Sequence, residues 1–190
     1  MRLLLASASP RRRELLAAAG IATDVDPVDV DESRLDREPP DTYVERVARL
    51  KAEAGARRHP DRLVLGADTT VTIDGGVLGK PETADDAGRM LRLLSGRSHD
   101  VLTGVAVAWR GTMASAVERT IVTVAPLSES DVAWYLGSGE PLDKAGAYAI
   151  QGLASRFIPR IEGSYTNVVG LPVALVLDLA RQVGAPAGWP

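Results

Sequence analysis

The stretch Leu3-Leu4-Leu5-Ala6-Ser7-Ala8-Ser9-Pro10-Arg11-Arg12-Arg13-Glu14-Leu15-Leu16 limits the possible folds more than any other part of the chain. A short apolar run of the buried-strand kind passes through small hydroxyl residues straight into a helix, so a strand must hand the chain to a helix within one tight turn. Ser9 suits the N-cap and Pro10 the first helical position, where a missing N–H costs nothing. The free N–H groups of such a helix start carry partial positive charge, and an anion placed there meets dipole, donors and guanidinium groups together. Arginines in a first turn oppose the helix dipole by roughly a few tenths of a kcal/mol, so their position calls for a compensating anion. A solvated arginine face is the alternative reading of the same residues.

Composition bounds the partner. With 190 residues the chain can bury one good core. A formal net charge of -3 and an isoelectric point near 5.5 argue against bulk electrostatic binding of nucleic acid or acidic lipid, leave room for a local basic pocket, and point to a small partner. Cysteine is absent, which rules out disulfides and thiolate metal sites and fits a reducing compartment. His59 and His99 are the only histidines, which excludes a histidine-rich zinc site. No apolar run approaches the ~20 residues needed to span a bilayer, and Met1-Arg2-Leu3-Leu4-Leu5 gives way to polar residues too soon for a signal peptide. The expected location is cytoplasmic, with no membrane and no nucleic acid as partner.

Along the chain, a helix is expected over 10–19, ending at Gly20, then a strand over 23–28 that runs into the acidic loop Asp29-Val30-Asp31-Glu32. Pro39-Pro40 breaks the chain, and Asp41 can cap a helix whose apolar stripe of Val44, Val47, Ala48 and Ala54 also contains Lys51. Residues 63–67 read as a buried strand that stops at Asp68-Thr69, and 71–73 with 77–78 flank Asp74-Gly75-Gly76 as a hairpin. A helix follows from about Thr83 to Leu94. Residues 101–109 and 116–124 suggest a wide hairpin around Arg110-Gly111, and Ser128-Glu129-Ser130-Asp131 resembles a capping box opening a helix that ends near Gly137. The last third holds a strand around 157–161, a turn at Glu162-Gly163-Ser164 and a helix beginning at Pro172.

This pattern predicts an α/β fold: a mixed twisted sheet flanked by helices, in one domain over 1–184 with two lobes and a central cleft, followed by a loose C-terminal tail over 185–190. Ligands of open α/β sheets sit beyond the carboxyl ends of strands, a rule that selects Ser7 to Arg12 and Asp68-Thr69.

Several familiar devices are absent. The segment ending at Lys80 has Asp74 where a nucleotide P-loop needs its first glycine, and Pro81 where it needs a hydroxyl. Ser98-His99-Asp100 cannot converge as nucleophile, base and orienter, because neighbours in sequence point apart. Neither a G-x-S-x-G elbow nor a glycine-rich dinucleotide fingerprint occurs. Asp68 is the sharpest candidate, since a carboxylate following an apolar strand is held rigidly beside a cleft, where it can bind a metal or accept a proton from water. It can equally cap a turn through Thr69 and Thr70. Asp31 and Glu32 are either solvated loop acids or, with Asp68, oxygen ligands for Mg²⁺ or Mn²⁺, which take few carboxylates and keep waters for substrate phosphates. Lys51 reads as a snorkelling chain at the edge of the core. Lys80 is a surface turn residue, or a point charge beside a polyphosphate.

Taken in order, Ser7-Ala8-Ser9-Pro10-Arg11-Arg12-Arg13-Glu14-Leu15-Leu16, Gly66-Ala67-Asp68-Thr69, Gly79-Lys80-Pro81, Leu94-Ser95-Gly96, Ala145-Gly146-Ala147-Tyr148 and Gly163-Ser164-Tyr165-Thr166-Asn167-Val168-Val169-Gly170-Leu171-Pro172 span nearly the whole chain. The series resembles the Maf family of nucleoside triphosphate pyrophosphatases. The resemblance implies an inosine triphosphatase-like fold, a homodimer, and hydrolysis of a nucleoside triphosphate to monophosphate and pyrophosphate with a divalent metal, Mg²⁺ or Mn²⁺. It further implies that Asp68 is the catalytic proton acceptor, that Ser7, Arg12, Lys51 and Lys80 surround the triphosphate, and that Glu32 joins Asp68 at the metal. Arg11, Thr69 and Gln151 align with the family's specificity positions and look like the branch acting on dTTP and UTP. A glutamine amide both donates and accepts, so Gln151 can pair with a uracil or thymine edge. Modified pyrimidine nucleotides fit the same resemblance, and so does a nucleotide-sensing regulatory role in cell division or septum formation.

Overall fold

In the computed structural model, which describes residues 1–186 and 189, the opening stretch folds as its pattern dictates. Leu3–Leu5 (β1) pairs in parallel with Thr23–Val25 (β2) on one side and with Val64–Ile73 (β3) on the other. Gly76–Leu78 (β4) folds back on β3, with Val71 opposite Leu78. Ser98–Trp109 (β5), Thr112–Thr123 (β6) and Arg160–Glu162 (β7) complete a seven-stranded mixed sheet of order β2-β1-β3-β5-β6-β7. The helices are Pro10–Ala18 (α1), Pro40–Arg58 (α2), Ala84–Leu94 (α3), Glu129–Gly137 (α4), Tyr165–Val169 (α5) and Val173–Gln182 (α6). None of the helices among the described residues is long and apolar enough to cross a membrane.

The chain divides into two compact units, one formed by 1–69, 103–118 and 170–190, the other by 70–102 and 119–169. In the first unit the sheet is covered on both faces. Leu3 and Leu5 join Leu16, Leu65, Ala67, Val105, Val107 and the α6 residues Val176 and Leu179 in one core. Leu4 and Ala6, one residue out of phase, join Ala48, Ala52, Val64, Ala106 and Ala108 beneath α2. Burial on both faces explains why these strands are continuously apolar rather than alternating. In the second unit Val71, Ile73, Val101 and Val122 pack under α3 and Tyr135 of α4. The other face of those strands is polar, and Thr72, Asp74, Asp100 and Arg119 line a groove of about 240 Å³.

Two glycines set how closely α2 lies on the sheet. A Cβ at Gly66 would overlap the Ala48 carbonyl oxygen and the Ala52 amide, and one at Gly104 would overlap the Val44 carbonyl. The backbone of the helix therefore rests almost directly on β3 and β5.

Several elements differ from their expected bounds, each for a local reason. β2 stops at Val25 because Pro27 cannot donate to a ladder. α2 begins at Pro40, in the first turn where proline is tolerated, so Asp41 lies inside that turn and Pro39 takes the cap position. Ala52 and Gly55 rather than Ala54 complete its buried stripe. The hairpin around Arg110-Gly111 is tight, not wide: both residues take positive φ (47° and 82°), as a two-residue turn matched to strand twist requires. A 3₁₀ turn over Leu153–Phe157 delays β7 to Arg160, and the Ser164 hydroxyl accepts the Asn167 N–H to start the short α5, which the sequence did not suggest. β3 does not stop at Asp68 but continues to Ile73. Of the expected tail, 187, 188 and 190 lie outside the described residues, while Ala185 and Trp189 pack against the first core.

Two outcomes follow for stability. Gly66→Ala pushes helix backbone off the sheet and should cost about 1–3 kcal/mol, measured by urea denaturation. In the second unit His99 is buried, with Nε2 2.8 Å from the Tyr148 hydroxyl, and desolvation pushes its pKa from 6.5 down to about 4 against a weaker opposing pull from Asp100. The unfolded chain takes up this proton below about pH 6.5 while the folded chain resists it until about 4, so stability is full above that window and falls by up to about 3 kcal/mol across it. Denaturation between pH 4 and 7 should show this slope in the unaltered protein and a flatter one in His99→Phe.

Candidate active site

β1 ends at Leu5, and β3 pairs with it only through Val64 and Leu65 before running on alone. Asp68 thus lies inside a strand yet beyond the carboxyl end of its parallel neighbour, the place where open α/β sheets hold ligands. Alternation along β3 divides the local chemistry between its faces. Gly66 and Asp68 face α2, whereas Ala67 and Thr69 face the side packed by α1 and α6.

On the α2 face, Lys51 Nζ is 3.0 Å from Asp68 Oδ1 and 3.0 Å from Glu32 Oε1. Lys51 and Asp68 are buried at 8% and 12% side-chain exposure, while Glu32 is half exposed. The lysine out of helical pattern is therefore not a snorkelling chain. It is the shared cation of two converging carboxylates, brought there by the close approach of α2. Asp68 Oδ1 takes the lysine, and Oδ2 has no hydrogen bond among the described residues.

The loop carrying Glu32 is secured by residues that the sequence had not marked. Glu38 is buried and bound in bidentate fashion by Arg46 (2.6 and 2.8 Å), which also donates to the Ser33 carbonyl. The Arg46 guanidinium holds the Glu38 pKa down to about 2. The Tyr43 hydroxyl donates to the Glu32 carbonyl, and burial together with the charges of Asp68 and Glu32 raises its pKa. Asp31 instead turns its carboxylate to the Ser33 N–H. A buried glutamate beside an arginine eight residues on leaves no periodic signature, which is why this clamp escapes sequence reading.

On the opposite face Arg12 is buried at the start of α1. Its Nε donates to the Gly170 carbonyl (2.9 Å), Nη1 to Ser7 Oγ (3.0 Å) and the Ala67 carbonyl (2.9 Å), and Nη2 to Thr69 Oγ1 (3.0 Å). Four of its five N–H bonds are thus committed within the protein, and the fifth, on Nη2, has no partner among the described residues. Burial lowers the Arg12 pKa, Asp68 and Glu32 push it back up, and Arg11 lowers it again, so the carboxylates and the guanidinium feel one another across the strand. Ser7 Oγ accepts from Arg12 and from the Ser9 N–H, which leaves its own proton to donate outward. Ser9 caps the helix by accepting the Arg12 N–H, as expected.

Ser7, Arg12, Lys51, Asp68, Thr69 and Glu32 are therefore gathered in the first unit. Arg11, half-buried, adjoins them in sequence on α1. Lys80 and Gln151 belong to the second unit, and both are exposed. The loop bearing Gln151 is pinned on either side of it, by the Ala149 N–H on the Tyr135 hydroxyl (3.1 Å) and the Leu153 N–H on Glu140 (3.0 Å). No group of three or more acidic or imidazole side chains among the described residues is arranged to hold a metal. Asp68 and Glu32 supply two convergent hard-oxygen donors, a set that suits a cation completing its shell with phosphate oxygens and water.

The chain matches the pattern of the Maf-like protein family over residues 2–183. It is 54% identical over 192 residues to a dTTP/UTP pyrophosphatase of Anaeromyxobacter dehalogenans, covering 99% of this chain and 97% of that one. It is 51% identical to a protein of the same name from Myxococcus xanthus, covering 98% and 95%. Among solved structures, protein VC0702 of Vibrio cholerae aligns over 100% of this chain and 99% of its own at 15% identity, with a TM-score of 0.49.

Removing the shared cation should expose how much depends on it. Lys51→Met leaves the Asp68 carboxylate buried without its partner and should cost about 3–5 kcal/mol. Adding Asp68→Asn should recover a large part of that loss, as read from a double-mutant cycle in urea.

Proposed function

The chain belongs to the Maf-like protein family, and from that premise we propose that it hydrolyses nucleoside triphosphates, dTTP and UTP foremost, to nucleoside monophosphate and pyrophosphate by water attack on the α-phosphorus. The observation that carries this reading is the convergence of Asp68 and Glu32 on Lys51 beside the Ser7 to Arg12 turn. In this proposal Asp68 Oδ2 takes a proton from the attacking water, a contribution worth about 10²–10⁴-fold. The Ser7 hydroxyl, the uncommitted Arg12 N–H and Lys51 face phosphate oxygens, with charge aimed where it develops in the transition state. Lys80 adds a further phosphate contact, while Arg11 and the Gln151 amide select the base.

Arg12 and Lys51 formally balance Asp68 and Glu32, so a triphosphate entering this cluster brings charge that the four do not offset. Asp68 and Glu32 would hold a divalent metal, Mg²⁺ or Mn²⁺, which when bound neutralises charge on the leaving pyrophosphate oxygens.

A panel of nucleoside triphosphates with Mg²⁺, in which pyrophosphate and orthophosphate are measured separately, tests the reading. Pyrophosphate should appear, with dTTP and UTP ranked first, and Asp68→Asn should lower kcat by at least about 10²-fold while nucleotide binding persists. Orthophosphate as the product, or undiminished turnover in Asp68→Asn, would contradict it.

A further inference from the structure

Thr103 of β5 is fully buried, and its hydroxyl lies 3.0 Å from that of Thr69. The Thr69 oxygen is also 3.2 Å from the Gly170 carbonyl oxygen and 3.0 Å from Arg12 Nη2. A hydroxyl has one proton to donate and two lone pairs with which to accept. A carbonyl only accepts and a guanidinium only donates, so the Thr69 proton goes to Gly170 and Arg12 fills one lone pair. Thr103 must then donate into the other, which satisfies a buried hydroxyl with no other hydrogen bond among the described residues. The Thr69 hydroxyl is thereby saturated, and it can meet a substrate only by releasing one of its three partners. Gly170 is itself the acceptor for Arg12 Nε, so Thr69 and this carbonyl close a ring along one edge of the guanidinium, and Thr103 braces that ring through Thr69.

We infer that Thr69 and Thr103 are positioning residues that act through Arg12: the hydroxyl pair fixes the guanidinium plane and so preserves its one uncommitted N–H for an anion. The inference rests on the reading of Arg12 as a phosphate contact. It adds that position 69, which family resemblance groups with the specificity positions, also holds Arg12 in place. Nothing in the sequence marks Thr103, since a threonine inside a buried strand is ordinary β-former chemistry.

Thr103→Val keeps the volume and removes the donor. Its kcat/KM should fall about tenfold for UTP, dTTP, CTP and GTP alike, with the base ranking unchanged, and Thr103→Ser should restore it to within about twofold. In an Arg12→Lys background Thr103→Val should cost nothing further, because no guanidinium plane is left to hold. Exchange of the Arg12 Nε–H with solvent, followed by NMR, should quicken in Thr103→Val and recover in Thr103→Ser. That readout does not depend on turnover, so a protein that hydrolyses nothing yet shows this exchange response retains the positioning and loses only the proposed activity. A changed base ranking in Thr103→Val overturns the inference. So does unaltered kinetics and exchange in Thr103→Val, or an undiminished further loss in the Arg12→Lys background.

Discussion

One ammonium group held between two carboxylates organises this molecule. Lys51 reaches Asp68 and Glu32 only because α2 lies against the sheet at the distance that two side-chain-free positions permit, and because the Glu32 loop is tied down by Glu38, Arg46 and Tyr43. A buried ion pair of this kind contributes little net stability once desolvation is subtracted, while breaking it from one side is costly. Its value lies in geometry: it keeps the two carboxylates converged on one point.

Arg12 solves the complementary problem on the other face of β3. A lysine could supply the charge but not four directed donors in a rigid fork. By binding a hydroxyl of the β1–α1 turn, a carbonyl of β3, a hydroxyl of β3 and the carbonyl that precedes α6, one guanidinium locks three chain segments distant in sequence. The side chain proposed to meet phosphate is therefore also one that ties the fold together, and a single N–H stays uncommitted among the described residues.

Much of this was legible in the sequence where local chemistry decides the outcome. The strand-turn-helix opening, the capping box at Ser128, the Asp74-Gly75 hairpin and the helix start near Thr83 all appear because caps and tight turns are written in adjacent residues. Most boundaries that shifted did so for local reasons, as at Pro27 and Pro40, but that of β3 shifted because a tertiary contact overrules the local pattern. β3 runs through Asp68 because Lys51 compensates the charge that would otherwise end a buried strand. The out-of-stripe lysine was visible as an anomaly, but its partner was not, since nothing in linear order joins a helix residue to a strand seventeen positions on. Thr103 and the Glu38–Arg46 clamp gave no signal at all. A threonine in a strand and an acid near an arginine are the commonest of neighbours, and only three-dimensional proximity gives them meaning.

The first unit is assembled from three separated stretches, the last of which begins at Gly170 and brings Leu171, Val176 and Leu179 into its core. During vectorial synthesis the opening strands and α2 therefore leave the ribosome long before the helix that covers one of their faces. Leu3, Leu5 and Leu65 are covered only in part, by Leu16 of α1, until α6 has emerged, and apolar surface exposed in this way favours aggregation of a nascent chain. Late closure of this kind also raises contact order, which makes the folding of the first unit intrinsically slow.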